Sequence, residues 1–257
     1  MKPLTGLTAV ITGGVSGIGK AIASELGSAG CDLALIDIDT EKGTAAVQEL
    51  SVTSKCRFYR CDIGDLDEIK FVFGEVVANF GKVDVLVNAA GIPVRDYIED
   101  ITPEKWDIFV NINIRSVFFL SQIFAEAIRE RGSGFGRIIN ISSVRAEVFD
   151  DFHCGYSLSK AAIDVITKNF AVSYAEDGIT INAIAPGFVA TEMTGHYNIG
   201  DQKIDSIMRS LSPLHRKMNA CEIAAAARFL ASYEASGVNG QILKVDGGGT
   251  SSPGMYH

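Results

Sequence analysis

The chain has 257 residues, a length that suits one large α/β domain or two small ones. Hydrophobic residues make up 47% of it and charged residues 21%, an ordinary globular balance with enough apolar material for a substantial core. The net charge of −8 excludes the basic footprint that a nucleic-acid-binding protein needs, and an acidic surface is also repelled by anionic membranes.

The cysteines and the apolar runs predict a cytoplasmic protein without a membrane segment. Five cysteines, an odd number, follow no zinc or thioredoxin-like spacing, which indicates reduced thiols and no metal site. The apolar stretch at residues 7–11 is too short for the core of a signal peptide, and no uninterrupted apolar run reaches membrane-spanning length.

Short apolar runs alternate with longer segments of helical period along the whole chain. The predicted strands are residues 7–12, 32–37, 57–60, 83–88, 137–141, 180–184 and 241–245. The predicted helices lie near residues 17–29, 41–50, 65–80, 103–130, 155–176 and 219–232. This alternation predicts βαβ units and a parallel sheet covered on both faces. The predicted fold is therefore a single α/β domain over residues 1–257, a Rossmann-type doubly wound, seven-stranded and mainly parallel sheet with helices on both faces.

One polar segment, residues 191–218, breaks the alternation after the sixth predicted strand. Ligands of doubly wound sheets bind outside the carboxyl ends of the strands, and this insertion leaves from such an end. We therefore predict that it forms a substrate lid.

The first predicted strand runs into a glycine-rich turn at residues 12–19, and a helix follows at once. Glycines let the backbone approach a pyrophosphate closely, while the helix N-terminus adds free N–H groups and the positive end of its dipole. This position predicts a dinucleotide-binding turn. Its predicted contact residues are Gly13, Ser16, Gly17, Ile18 and Gly19.

Asp37 ends the second predicted strand, 18 residues after Gly19. An acidic residue there accepts both ribose hydroxyls of an adenosine and repels a 2′-phosphate, so the predicted cofactor is NAD. The alternative is that Asp37 caps a helix or is a solvated loop charge, although Asp39 better suits capping the next helix. Asp62 follows the third strand, where its side chain can meet the adenine. The Asn-Ala-Ala-Gly run at residues 88–91 either supports a flat ring or is a plain turn.

Tyr156 and Lys160 stand four residues apart on a predicted helix and therefore share a face. A free tyrosine, with a pKa near ~10, is a poor base at neutral pH. An ammonium about 5 Å away favours the phenolate by roughly 3 kcal/mol, about two pKa units. Alone, a tyrosine and a lysine at this spacing are common on the exposed face of a helix. However, Ser143 follows the fifth predicted strand and offers a hydroxyl to hold the substrate oxygen.

With these motifs in this order, the chain resembles a short-chain dehydrogenase/reductase over essentially its full length. The matching segments are TGGVSGIG, CDI, NAAG, VNINIRSVFF, GRIINISS, YSLSK, GITINAIAPGFVATEM and VNGQILKVDGG. The resemblance implies a catalytic set of Asn113, Ser143, Tyr156 and Lys160, with Asn113 rather than Asn111 because it lies four residues before Val117.

The resemblance also implies how the cofactor and the oligomer are built. Lys160 would bind the nicotinamide ribose, Asn113 would hold a proton-relaying water, and the protein would be a homotetramer. Further cofactor contacts are implied at Asp62, Ile63, Asn88, Gly91, Tyr156, Lys160, Pro186, Gly187, Val189 and Thr191.

Three basic positions near the expected chemistry are candidate substrate contacts: Arg145, His153 and, in the predicted lid, His196. In similar 3-hydroxybutyrate dehydrogenases, basic residues at the first two positions hold the substrate carboxylate, and the fork of an arginine suits a planar anion. The alternative is that Arg145 pairs with an acidic neighbour and that His153 is an ordinary polar loop residue. The available neighbours are Glu147, Asp150 and Asp151.

The predicted activity is hydride transfer between NAD and a small secondary alcohol or its ketone, with a hydroxy acid as one version of that small-molecule substrate. Fold and family fix the reaction type and leave the substrate open. A polyol or sugar dehydrogenase is one alternative. A 3-oxoacyl-carrier-protein reductase is another. Such reductases typically use NADP, whose 2′-phosphate Asp37 would repel, and they typically carry a basic residue at the position of Asp177. A non-catalytic nucleotide-binding protein is the alternative from a different class.

Overall fold

The computed structural model of the protein describes residues 4–191 and 212–251. The strands are β1 (Thr8–Thr12), β2 (Asp32–Asp37), β3 (Cys56–Arg60), β4 (Val85–Asn88), β5 (Gly136–Ile141), β6 (Ile179–Pro186) and β7 (Ile242–Val245). The α-helices are α1 (Gly17–Ser28), α2 (Thr40–Leu50), α3 (Leu66–Phe80), α4 (Pro103–Val110), α5 (Ser116–Arg131), α6 (Cys154–Ser173) and α7 (Ala220–Ala231).

The seven strands form one sheet in the order β3-β2-β1-β4-β5-β6-β7. Every neighbouring pair is parallel, so the predicted fold is confirmed and the described sheet is wholly rather than mainly parallel. Successive side chains of a strand point to opposite faces, and in β1 this puts Ala9 and Ile11 in one hydrophobic cluster and Val10 in the other. Helices α1, α2 and α7 cover the first cluster, and α3, α5 and α6 cover the second.

Acidic side chains begin two of the helices that cover the sheet. Asp39 caps α2 by accepting a hydrogen bond from the backbone N–H of Lys42 at 3.0 Å, as expected for this residue in preference to Asp37. Asp65 caps α3 in the same way, and Gly81, with a φ of +79°, ends that helix in the left-handed region.

The single helix predicted at residues 103–130 is divided in the structure. A π-helical segment, Asn111–Arg115, separates α4 from α5. By length and composition alone, Pro103–Arg131 could cross a membrane, which the sequence analysis did not recognise. Its buried residues include Phe109 and Phe124, which lie in the interior of the fold, as in the core helix of a globular domain.

The carboxyl ends of the parallel strands meet along one edge of the sheet and bring distant segments together. Asn88 pairs in register with Thr12 and with Asn140, and Pro186 pairs with Val245. An isolated bridge pairs Met218, the last residue of the predicted lid, with Val189, which lies two residues before the first. Most of that lid, residues 192–211, and with it His196, lies outside the described residues.

Candidate active site

A cavity of about 480 Å³ opens at this edge of the sheet. It is lined by residues from the glycine-rich turn, from the ends of β2 to β6 and from the start of α6. The predicted cofactor and catalytic residues that line it are Gly13, Ser16, Gly17, Ile18, Gly19, Asp37, Asp62, Ile63, Gly91, Ser143, Tyr156, Lys160, Pro186, Gly187, Val189 and Thr191. Segments that are far apart in sequence therefore contribute to one binding site.

The turn after β1 has no room for side chains at two of its glycines. A Cβ at Gly13 would lie 2.8 Å from the Cα of Ala90, and one at Gly19 would lie 2.1 Å from the carbonyl oxygen of Gly13. Helix α1 begins at Gly17, and the side chain of its N-cap residue, Ser16, makes no capping hydrogen bond. The turn thus leaves a bare backbone and a helix N-terminus facing the cavity, an arrangement that fits the pyrophosphate of a dinucleotide.

Asp37 lies at the end of β2 and lines the same cavity. Its Oδ1 accepts a hydrogen bond from the backbone N–H of Asp39 at 3.1 Å, which fixes the carboxylate at the cavity wall. Asp62 is held similarly, since its Oδ1 accepts from the N–H of Gly64 at 2.8 Å. Two carboxylates therefore stand at the end of the cavity that would receive the adenosine.

In the described structure, Asn88 does not line the cavity. Its buried amide donates to Oδ1 of Asn140 at 2.8 Å and to Oγ of Ser121 at 3.1 Å. Asn140 in turn donates to Oγ1 of Thr167 on α6 at 2.9 Å. The Asn88 side chain therefore points into the core and ties β4 and β5 to the neighbouring helices, so a cofactor contact at this residue stays a prediction that only its backbone can fulfil.

Ser143, Tyr156 and Lys160 meet at the other end of the cavity. The Ser143 hydroxyl is hydrogen-bonded to the hydroxyl of half-buried Tyr156. The ammonium of Lys160 lies 5.4 Å from the centroid of the Tyr156 ring and donates to the carbonyl oxygen of Ile141 at 2.8 Å. The four-residue spacing therefore brings the predicted pair together beside the serine.

Burial dominates the pKa values of this pair. It lowers the pKa of Lys160 from 10.5 to about 8, against the opposing charge of Asp164. It also raises the pKa of Tyr156, and this effect outweighs the Ser143 hydrogen bond and the charges of Arg145 and Arg95. The Lys160 charge alone therefore does not fix the pKa of Tyr156 in the protein without cofactor, because desolvation acts in the opposite direction.

Asn113 lies in the π-helical segment and supports the cavity wall from behind. Its Oδ1 accepts from the N–H of Ile92 at 2.9 Å, and its Nδ2 donates to the carbonyl oxygen of Ile92 at 3.0 Å. Nδ2 also lies 3.4 Å from Oγ of Ser159 on α6. The amide thus fixes the loop after Gly91 against the helix that carries Tyr156.

Arg145 and His153 also line the cavity, and both bind Asp150. Of the three acidic neighbours considered for Arg145, Asp150 is the one that forms an ion pair with it in the described structure. Arg95 lines the same wall and was not among the predicted site residues. Its position, four residues after Gly91 on a loop leaving a strand end, was the available signal.

Three comparisons agree on the kind of protein that this chain resembles. A family model described as enoyl-(acyl carrier protein) reductase matches residues 13–250. D-threitol dehydrogenase of Mycolicibacterium smegmatis is 35% identical over 248 residues, covering 96% of this chain and 94% of that protein. A 3-oxoacyl-[acyl-carrier-protein] reductase of Staphylococcus aureus is 34% identical over 244 residues, covering 94% and 97%. A solved structure of a short chain dehydrogenase/reductase family protein has a TM-score of 0.86 and 32% identity, covering 97% of this chain and 100% of that one.

Proposed function

Because the chain belongs to the short-chain dehydrogenase/reductase family of oxidoreductases acting on CH–OH groups, we propose that it is a NAD-dependent dehydrogenase of small polyols or sugars. It converts one secondary hydroxyl of the substrate to a ketone, or the ketone back to the alcohol. The observation that carries the substrate class is the ion pair between Arg145 and Asp150, which supplies the arginine with a counter-charge from within the protein.

The preference for NAD is supported by Asp37 at the adenosine end of the cavity. Its carboxylate suits the two hydroxyls of a ribose and repels a 2′-phosphate. Bound NAD supplies the hydride acceptor for alcohol oxidation, and NADH the donor for the reverse reaction. The glycine-rich turn would hold its pyrophosphate, and Lys160 its nicotinamide ribose.

The protein's own residues handle the proton. Ser143 and Tyr156 present two hydroxyls, hydrogen-bonded to each other, to the substrate oxygen. In oxidation Tyr156 must first have lost its own proton, and its phenolate oxygen then takes the proton of the substrate hydroxyl as the hydride passes from the carbon bearing that hydroxyl to NAD. In reduction the Tyr156 hydroxyl gives the proton back. Lys160, buried with its ammonium near the tyrosine ring, stabilises the phenolate that takes part in this exchange.

A hydroxy acid is the second candidate substrate. It is favoured by the presence of two guanidinium groups, those of Arg95 and Arg145, on one wall of the cavity. A 3-oxoacyl-carrier-protein substrate has less support, although the chain is similar to one such reductase. Asp37 disfavours NADP, and Asp177 neutralises Arg129 through a side-chain pair with bonds of 2.7, 3.1 and 3.2 Å.

The test is a parallel activity screen with NAD and NADP. Substrates should include polyols, with D-threitol among the first, hydroxy acids of matching chain length, and 3-oxoacyl thioesters. We expect NAD-dependent turnover with a polyol as the best substrate. The Tyr156→Phe variant serves as the control for contaminating activity, since it lacks the proton-exchanging hydroxyl. Turnover confined to thioesters with NADP would refute the proposal.

The proposal includes a cytoplasmic homotetramer without nucleic-acid or membrane partners. All five cysteines are free thiols, which suits a reducing compartment.

A further inference from the structure

The carboxylate of Asp150 binds two basic side chains on one wall of the cavity, away from the predicted nucleotide site. Asp150 forms an ion pair with Nη1 of Arg145 through its Oδ2. Its two oxygens lie 2.9 and 3.0 Å from Nδ1 of His153. Oδ1 also accepts from the backbone N–H of Phe152 at 3.1 Å. Arg145 and His153 both line the cavity, so Asp150 holds two of the basic side chains on this wall.

The cluster is fixed from both sides. The backbone of His153 bridges to Asp96 on the loop that follows β4. The Phe152 ring packs against Tyr97 of that loop, with centroids 5.2 Å apart, and against the imidazole of His153 at 5.3 Å. Because Nδ1 of His153 is engaged by the carboxylate, Nε2 is the nitrogen left for a ligand. The orientation of the His153 ring is thus set by Asp150.

Charge on Asp150 is maintained by its own partners. Burial alone would raise the pKa of its carboxyl, but the His153 hydrogen bond and the charge of Arg145 outweigh this effect and lower it. The carboxylate is therefore ionised at neutral pH, and the Arg145–Asp150 pair carries no net charge.

Resting on the proposed function, we propose that Asp150 is a specificity-determining positioning residue that makes this wall a hydrogen-bonding surface for a substrate hydroxyl and disfavours a carboxylate. A hydroxyl can accept from the remaining donors of Arg145 or exchange a hydrogen bond with Nε2 of His153 without a charge of its own. A substrate carboxylate would have to share the guanidinium with Asp150, and two carboxylates at one site repel each other.

The test compares two probes of the same length, D-threitol and D-threonate. In threonate a carboxylate replaces one terminal hydroxymethyl group of threitol. Binding is measured by calorimetric titration in the Tyr156→Phe background saturated with NAD, where no turnover consumes the probe. We expect threitol to bind at least about tenfold more tightly than threonate. Asp150→Asn, which keeps the shape and the Phe152 hydrogen bond, should narrow that gap by strengthening threonate binding about tenfold while leaving threitol binding nearly unchanged. Asp151→Asn, the same charge change at the exposed neighbouring residue, should alter neither probe.

A second substitution assigns the effect to the arginine. The gain in threonate binding caused by Asp150→Asn should disappear in the double variant Asp150→Asn/Arg145→Gln. Equal weakening of both probes by Asp150→Asn would show a purely structural role and overturn the proposal. If that variant does not fold, the parent protein decides alone, because threonate binding as tight as threitol binding also overturns it. The proposed function fails on a different result, the absence of NAD-dependent polyol turnover in the screen.

Discussion

The carboxylate of Asp37 stands at the end of β2, where it can distinguish the two nicotinamide cofactors. It should favour NAD over NADP by at least ~2 kcal/mol, through ribose hydrogen bonds gained and phosphate repulsion avoided. We expect Asp37→Asn to reduce the ratio of kcat/KM for NAD to that for NADP by about tenfold or more. Asp39→Asn is the matched control, since it removes the same charge two residues away and keeps a good N-cap for α2. Equal effects of the two substitutions would contradict the assignment.

Lys160 gives a stability prediction with a defined pH range. Its pKa is 10.5 when unfolded and about 8 when buried, so the folded state binds fewer protons between these values. The buried charge therefore destabilises the cofactor-free protein most below pH 8, and this cost falls as the pH rises through 8 towards 10.5. We expect Lys160→Met to abolish turnover and yet raise the free energy of unfolding by ~2 kcal/mol at pH 7.

Urea unfolding of wild type and Lys160→Met at pH 7 and pH 9.5 measures this difference. The gain should be smaller at the higher pH. A variant less stable than the wild type at pH 7 would mean that the lysine stabilises the fold through its bond to Ile141.

At the residue scale, sequence reasoning found side chains whose role depends on position along a strand or helix. Asp37, Ser143, Tyr156 and Lys160 lie in the cavity because strand ends and helical spacing put them there. The inward orientation of the Asn88 side chain could not be predicted, because the sequence does not say which way the last side chain of a strand points. The partner of Arg145 stayed open for a similar reason, since three acidic residues lay within reach along the chain.

The start of α6 packs closely against the loop after β4 and against α4. A Cβ on Gly155 would lie 2.8 Å from Cγ1 of Val94 and 3.2 Å from Cε1 of Phe109. Gly155→Ala should therefore push the first turn of α6, and Tyr156 with it, away from the loop after β4. We expect a loss of ~1–3 kcal/mol in unfolding free energy and at least about a tenfold fall in kcat/KM.

Gly74→Ala is the control for this substitution, made inside α3 where a new Cβ would meet nothing within 4 Å. It should stabilise the protein by roughly 0.5–1 kcal/mol, because alanine loses less backbone freedom in a helix than glycine does. Thermal unfolding of both variants checks the opposite signs. Stabilisation by both would mean that α6 has room to move.

Element boundaries were predicted best where a local signal marks them. Thr102 and Pro103 mark the start of α4, and the glycine at 81 marks the end of α3. The π-helical segment after α4 has no such signal, since one wider turn hardly changes the apolar periodicity of a long helix. It nevertheless sets the position of Asn113, whose hydrogen bonds to Ile92 could be found only from the structure.

The outer face of α6 carries an apolar stripe that the described part of the chain leaves exposed. Leu158, Val165 and Val172 recur every seven residues on this helix, and their exposed fractions are 40%, 59% and 82%. Such spacing puts them on one face, where a second copy of the helix can pack. We expect a homotetramer in sedimentation analysis, and dissociation into smaller species on Val165→Glu.

Val52→Glu is the matched control, because Val52 is 84% exposed but lies in the turn after α2. It should leave the sedimentation coefficient unchanged. A monomeric wild type would show that the stripe has some other partner or none.

The residues that line the two ends of the cavity come from two separate, contiguous parts of the sequence. The adenosine end of the cavity is built from residues before the end of α3, whereas the reacting end comes from residues after the end of β4. A single recombination event between these two parts would therefore change the substrate specificity of the enzyme. Its preference between NAD and NADP would stay as it was. Point substitutions at Asp37 and at Asp150 lie in different parts, so the two preferences can diverge independently during evolution.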